Sequence, residues 1–346
     1  MLTVTVSGRT YDFSHAVGGY FLAQPVGVAV GAGDTVYVLN RGIEGVPGGR
    51  PLEPNGYMAR VGKYTMGTVA GDEEFVAEYG KYGATDGQFI WPTAIALDSQ
   101  EKLYITDEWL NRISVYDTGD GTLLGMWGTS GEGDGELNGP SGIAIDRQDD
   151  VYVVDSRNHR VQKFTKDGKH LNKWGSLGSG DGQFDSPWGI TIDHEGYVYV
   201  ADHKNNRVQK FTAQGEYVTR FGTYGAGQGE LDRPSGVAVD PDGDVYVCDW
   251  VNNRVQIFAP DGRFITSLVG DAQQLAKWHL QTVEANADVM KARRRVYSLE
   301  PEWRLSLPTA LTFDTQKSRL LIADTQRGRL QIYNKVRGYL EPQFNL

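Results

Sequence analysis

The sequence predicts an all-β protein, a six-bladed β-propeller of four-stranded antiparallel blades with one loop insertion and one helical insertion on the same face. Three observations predict it. A proline leading a short apolar strand recurs six times, at Pro25 (PVGVAV), Pro92, Pro140 (PSGIAID), Pro187, Pro234 and Pro308. The spacings from Pro92 to Pro234 are 48, 47 and 47 residues. A polar residue follows each proline by 15 positions, or 16 in the last copy: Asn40, Asp107, Asp155, Asp202, Asp249 and Asp324. Four short strands per unit, repeated six times, define propeller blades.

Each unit reads in the same order. The proline opens an inner strand, and the polar residue closes a second. An arginine five residues past each aspartate (Arg112, Arg160, Arg207, Arg254, Arg329) opens a third strand, as in RVQKF at Arg160–Phe164. Turns such as Asp167-Gly168 and Asp261-Gly262 lead into a fourth, for example His170–Trp174. Such a sheet is apolar on both faces and buries them only against neighbouring sheets. The 44 glycines and 13 prolines suit many short strands joined by tight turns. One propeller domain is expected across 1–346. Closing the ring requires a last outer strand from either Thr10–Phe13 or Tyr339–Phe344, and the N-terminal choice seals the ring with the opposite end of the chain.

Two units depart from the period. Pro25 to Pro92 spans 67 residues, with most of the excess, about 41–59, between the second and third strands. Pro234 to Pro308 spans 74, and its excess, about 271–303, follows the third strand. The first insertion is rich in Gly and Pro, hence an irregular loop. The second reads as helical: Asp271 suits an N-cap, and Leu275, Trp278, Thr282, Val289, Met290 and Arg293 fall along one face. Both leave from the same end of the propeller, so a lid over one mouth of the channel is expected.

The motif Asp-x-x-Asn-x-Arg, seen at Asp155, Asn158 and Arg160 and again from Asp202 and Asp249, with its aspartate and arginine also present at Asp107 and Arg112, resembles the NHL repeat. The blades are similar to those of peptidyl-hydroxyglycine amidating lyases, a resemblance that implies zinc-binding histidines just after the inner-strand proline. Those places hold Val26, Thr93, Ser141, Trp188, Ser235 and Thr309, so there is no zinc motif. Resemblance to regucalcin-like gluconolactonases implies a divalent cation such as calcium, held in the channel by oxygen ligands. NHL domains of tripartite-motif proteins imply a protein or RNA partner on a basic top face. This chain carries a formal charge of −10, which argues against nucleic acid.

The Asp–Arg pairs are too regular for one active site and read as ion pairs bracing each loop. One residue past each aspartate the units differ: Arg41, Glu108, Ser156, His203, Trp250 and Thr325. Equivalent places form a ring around the axis, so Arg41, Glu108, His203 and Trp250 are expected to gather at the lid-side mouth. Arg41 would orient an anionic group, Glu108 and His203 would move protons, and Trp250 would supply an apolar wall. Trp188, Thr93 and His279 are the further substrate-binding candidates. No histidine pair has metal-ligand spacing. Cys248, the sole cysteine, sits where other units have Val or Ala and reads as a packing thiol. Arg293–Arg295 suits a solvated helix face. The expected function is a lyase or hydrolase acting on a small polar molecule. The alternative is a non-catalytic propeller that docks a protein or peptide through Trp109 and Trp250. Without a disulfide pair, a signal-like start or a long apolar run, a cytoplasmic protein free of membrane is expected.

Overall fold

The computed structural model describes residues 3–6, 8–19, 22–42 and 59–336. Its strands assemble into six blades around one axis, each running outward from an inner strand. The inner strands are Pro25–Val30, Pro92–Leu97, Pro140–Ile145, Ile190–Ile192, Pro234–Val239 and Pro308–Asp314. Blades 1 to 5 have four strands, and blade 6 has five.

The N-terminal strand Arg9–Gly18 closes blade 6, pairing antiparallel with Arg329–Val336 from Thr10↔Val336 to Gly18↔Arg329. Strand Thr3–Val6 adds a fifth layer outside it. The alternative closing segment, Tyr339–Phe344, lies outside the described residues, as does most of the first insertion.

Apolar residues of adjacent blades meet in six clusters, one per seam. Between blades 1 and 2, Val26, Tyr37 and Val61 pack with Phe89, Ile95 and Tyr116. Between blades 3 and 4, Tyr152, Val154 and Val161 pack with Phe184, Ile190 and Phe211. Alternation within each strand sends successive side chains to opposite seams, which is why the second strands are buried at every position. The inner strands lie so close that a Cβ at Gly142 would fall 2.4 Å from the Trp188 carbonyl, and one at Gly189 2.4 Å from that of Ser235. Only glycine fits there. Cys248 is fully buried in the seam between blades 5 and 6, and burial pushes its thiol pKa well up, as befits a packing group.

The recurring aspartates of the repeat tie loops in place. Asp155, Asp202, Asp249 and Asp324 each accept a backbone N–H from the loop entering their own blade: Asn138, Asp185, Asp232 and Ser306. Each also pairs with its arginine, at 2.7 Å for Arg160, 2.9 Å for Arg207, and 2.7 Å for Arg254 and Arg329. Blade 2 corrects the expected pairing. Asp107 instead accepts the amides of Ile90, Trp91, Trp109 and Leu110, while Arg112 donates to the carbonyls of Thr85 and Gln88.

The second insertion also differs from expectation. Two short helices form, Lys277–Glu284 and Ala287–Arg293, followed by a single turn at Glu300–Trp303. Asp271 caps neither; its carboxylate accepts the Tyr333 hydroxyl, and Asn286 caps the second helix. Nor does the segment line the channel. Ala272 and Ala276 pack on Phe13 and Ala16 of the closing strand, Trp278 packs near Tyr64 of blade 1, and Lys277 donates to the carbonyls of Gly71 and Glu73. The physical reason is visible in ordinary blades. There the entering loop folds back along the next blade, with Gly135, Gly182 and Gly229 bonded to Gln162, Gln209 and Gln256 of its third strand. Asp271 makes the same bond to Gln331, so the insertion inherits that path and braces the rim.

Candidate functional site

The inner strands enclose a channel of about 460 Å³, within the range of small-molecule sites. Its wall begins at the tier just past the prolines, which includes Thr93 and Trp188, and runs to the turns at the other end. Above that tier the six prolines share one feature. The carbonyl of each accepts a hydrogen bond from the preceding blade. The donors are Arg41 to Pro92 (3.3 Å), Thr93 to Pro140 (2.9 Å), Ser141 to Pro187 (3.2 Å) and His203 to Pro234 (3.2 Å). Ser235 donates to Pro308 (3.1 Å) and Thr325 to Pro25 (2.7 Å), completing the circle.

This clasp uses two alternative positions. Where the residue after the proline carries a hydroxyl, as in blades 2, 3 and 5, it makes the bond. In blades 1 and 4 that place holds Val26 and Trp188, and the residue after the second strand, Arg41 or His203, reaches across instead. In blade 6 Thr325 takes over and also bonds Thr309. Sequence reasoning singled out the same two rings without seeing that they substitute for one another. The signal was present: every blade has a donor in at least one ring.

The candidates fall into two groups. His203, Trp188 and Trp250 come together. The Trp188 and His203 rings lie 4.5 Å apart edge to face, with Trp250 5.9 Å from each. Because a carbonyl only accepts, His203 Nδ1 carries the proton, leaving Nε2 with its lone pair. Burial among the indoles lowers the His203 pKa to about 4, with the Pro234 carbonyl opposing and Arg233 and Lys204 adding to the effect. The ring is neutral at physiological pH.

The others are engaged separately. The Arg41 guanidinium lies 4.7 Å over the Trp91 ring in blade 2. Glu108 accepts from Arg157 of blade 3 at 2.7 Å. Thr93 bonds Thr106 (2.8 Å) as well as Pro140, so its hydroxyl is already engaged. Burial and nearby Arg329 lower the pKa of His279, on the insertion, and the channel wall does not include it. Among the described residues, no group of three or more His, Cys, Asp or Glu side chains is placed to hold a metal. No helix among them is long and apolar enough to cross a membrane.

The fold and its repeated motif define a six-bladed propeller carrying NHL repeats. The NHL repeat model matches residues 137–164, 184–211 and 231–258, which are blades 3 to 5 from entering loop to third strand. No curated protein matches the chain. Among solved structures it is similar to a catalytically inactive histidine-to-alanine variant of virginiamycin B lyase from Staphylococcus aureus with quinupristin. The TM-score there is 0.56 at 15% identity, covering 94% of this chain and 100% of that one. A streptogramin B lyase is similar at TM-score 0.55 and 12% identity, covering 96% and 100%. A protein of unknown function from Bacteroides thetaiotaomicron is similar at 0.57 and 17%, covering 95% and 76%. These likenesses establish the fold.

Proposed function

We propose that the protein is a small-molecule enzyme of the lyase type, working where the second strands end. The observation that carries this reading is His203: a neutral imidazole, its Nδ1–H fixed by a backbone carbonyl, set against two indoles. Such a ring presents Nε2 as a proton acceptor in a partly water-excluded place. Trp188 and Trp250 form the apolar wall, and Arg41, held on Trp91, orients an anionic group. Glu108 stabilises developing positive charge or relays a proton once Arg157 releases it. Supporting the reading, a histidine-to-alanine change inactivates a lyase of the same fold. A hydrolase would use the same base on water.

The test is His203→Asn, which keeps an N–H donor for Pro234 but removes the basic lone pair. Quinupristin is the first substrate to assay, followed by other cyclic and linear esters, with product mass as the readout. The variant is expected to melt as wild type does and to lose roughly 10²–10⁴-fold in kcat/KM. Equal turnover by the variant overturns the role of His203. A second reading, peptide docking, rests on Trp109, which is 67% exposed beside Glu108. It gains if no ester is turned over and Trp109→Ala abolishes capture of a peptide.

A further inference from the structure

We infer that the central channel is a second binding site, entered from the end opposite His203, for a linear small molecule with a carboxylate head and a hydrogen-bonding body. The inference is independent of the lyase reading. It begins with the residues that follow the inner strands at the far mouth.

Four inner strands are followed directly by an aspartate and a fifth ends in Asp314, and Asp146, Asp193 and Asp240 reach the channel wall. Their carboxylates are engaged. Each accepts two amides of its own turn and one tyrosine hydroxyl from the second strand: Tyr152, Tyr199 and Tyr246 respectively. Each also faces one ammonium, from Lys163, Lys210 and Lys335. The acidic tier is therefore compensated within the fold.

One residue further on, the mouth carries Arg147 on blade 3 and His194 on blade 4, next to one another around the ring. Both are exposed, both line the channel, and neither makes a hydrogen bond or ion pair among the described residues. The equivalent places elsewhere are Ala32, Ser99, Pro241 and Thr315, so no carboxylate competes from that ring. Of the charged side chains that line this mouth, Asp146, Asp193 and Asp240 are paired and Arg147 is not, while Glu195, exposed beside His194, lies outside the channel wall. An arginine fork and an imidazole N–H suit a carboxylate, since the fork donates in parallel to its two oxygens.

Inside the mouth, the fourth residue past each proline borders the channel at the edge of a seam. It is alanine in four blades (Ala29, Ala96, Ala144, Ala238), where three of the alanines are buried, and threonine in two, Thr191 and Thr312. Both threonines line the channel half-buried, and neither hydroxyl has a hydrogen-bond partner among the described residues. Two hydroxyls and the free edges of the inner strands thus offer donors and acceptors along the bore. With inner strands about 20 Å long at about 3.3 Å per residue, a volume of about 460 Å³ is slender. A linear molecule fits such a shape better than a ring.

Calorimetry on the full chain tests this with a matched pair, 6-hydroxyhexanoate and 6-hydroxyhexanamide. The acid is expected to bind, and the amide to bind about tenfold more weakly or worse, the worth of one charge-assisted contact. Arg147→Gln with His194→Gln should weaken the acid by a similar factor without shifting the melting temperature, because neither side chain supports the fold. Thr191→Ala with Thr312→Ala should weaken acid and amide alike. His203→Asn should leave the acid's affinity unchanged, which separates this site from the lyase reading. Equal binding of acid and amide, acid binding that survives loss of Arg147 and His194, or no binding of the acid at millimolar concentration would each overturn the proposal.

Discussion

The regular blades and the closing blade are held together by different chemistry. Seams among blades 2 to 6 use neutral, repeated staples. Asn111, His159, Asn206 and Asn253, each in a left-handed conformation, accept an N–H from the loop entering the next blade, at Gly139, Ser186, Arg233 and Leu307. Blade 6 has Gly328 in that place and makes no such bond to blade 1. Charge takes over instead. On one side Asp34 of blade 1 receives Lys317 and Arg319 (2.8 Å) of blade 6. On the other, Lys335 reaches Asp240, Asp242 and Asp244 of blade 5, and Arg9 grips Asp244 through two nitrogens at 2.6 and 2.7 Å. Both seams of the closing blade carry specific ionic contacts, half-buried toward blade 1 and deeply buried toward blade 5, where they add to the Asn253 staple. The seams from blade 2 to blade 5 carry the repeated hydrogen bond without a buried ionic latch.

The largest expected effect follows at Lys335, whose side chain is 5% exposed and whose three partners include two fully buried carboxylates. Replacing it by methionine strands buried charge at the closing seam, at a cost of about 3–5 kcal/mol. Denaturant unfolding should show this, and adding Asp240→Asn should recover part of it. If Lys335→Met unfolds like wild type, closure does not depend on the ionic contacts.

How much of this was legible in the sequence divides along the same line. Six in-register copies exposed the blades, the seams and the N-terminal closing strand, because periodicity reports packing shared by every unit. The ionic latch is a departure from the repeat, and its signal was a substitution. RVQKF in blades 3 and 4 becomes RVQIF in blade 5, so Ile257 stands where Lys163 and Lys210 balance Asp146 and Asp193. The run Asp240-Pro-Asp-Gly-Asp244 is left for Lys335 and Arg9 to neutralise from blade 6. The rim position of 271–303 was not legible, since it depends on a loop path fixed by Gln331 from sixty residues away. Of the candidate site, grouping His203 with Trp250 followed from equivalent positions. Their contact with Trp188 did not, because it joins two different rings of the repeat.

The seam between blades 4 and 5 offers a sharper comparison, because its clasp is titratable. His203 holds Pro234 as a neutral donor, with a pKa of about 4 in the folded chain against about 6.5 unfolded. The unfolded chain takes up a proton first as pH falls, so this contribution is complete above about 6.5 and is lost as pH falls through 4. The change is at most about 3 kcal/mol. Melting curves between pH 7.5 and 4 should show wild type losing more stability than His203→Asn. Parallel pH profiles would mean that the ring is not buried as a neutral group.

The smallest effect is expected where charge spans a regular seam. Glu108 of blade 2 and Arg157 of blade 3 meet at 2.7 Å, the same length as the contacts that close the ring. Yet Arg157 is 57% exposed, and water screens the pair. Between blades 2 and 3 the seam already has the Asn111 staple, the Thr93 clasp and a cluster joining Ile113 and Leu137 to Ile143 and Phe164. Glu108→Ala should therefore change unfolding free energy by about 0.5 kcal/mol or less, and added salt should shrink the difference further. A loss above about 1 kcal/mol would make the pair a structural latch like that of Lys335. With stability near wild type, any loss of turnover in Glu108→Ala reports on chemistry at the mouth rather than on the ring beneath it.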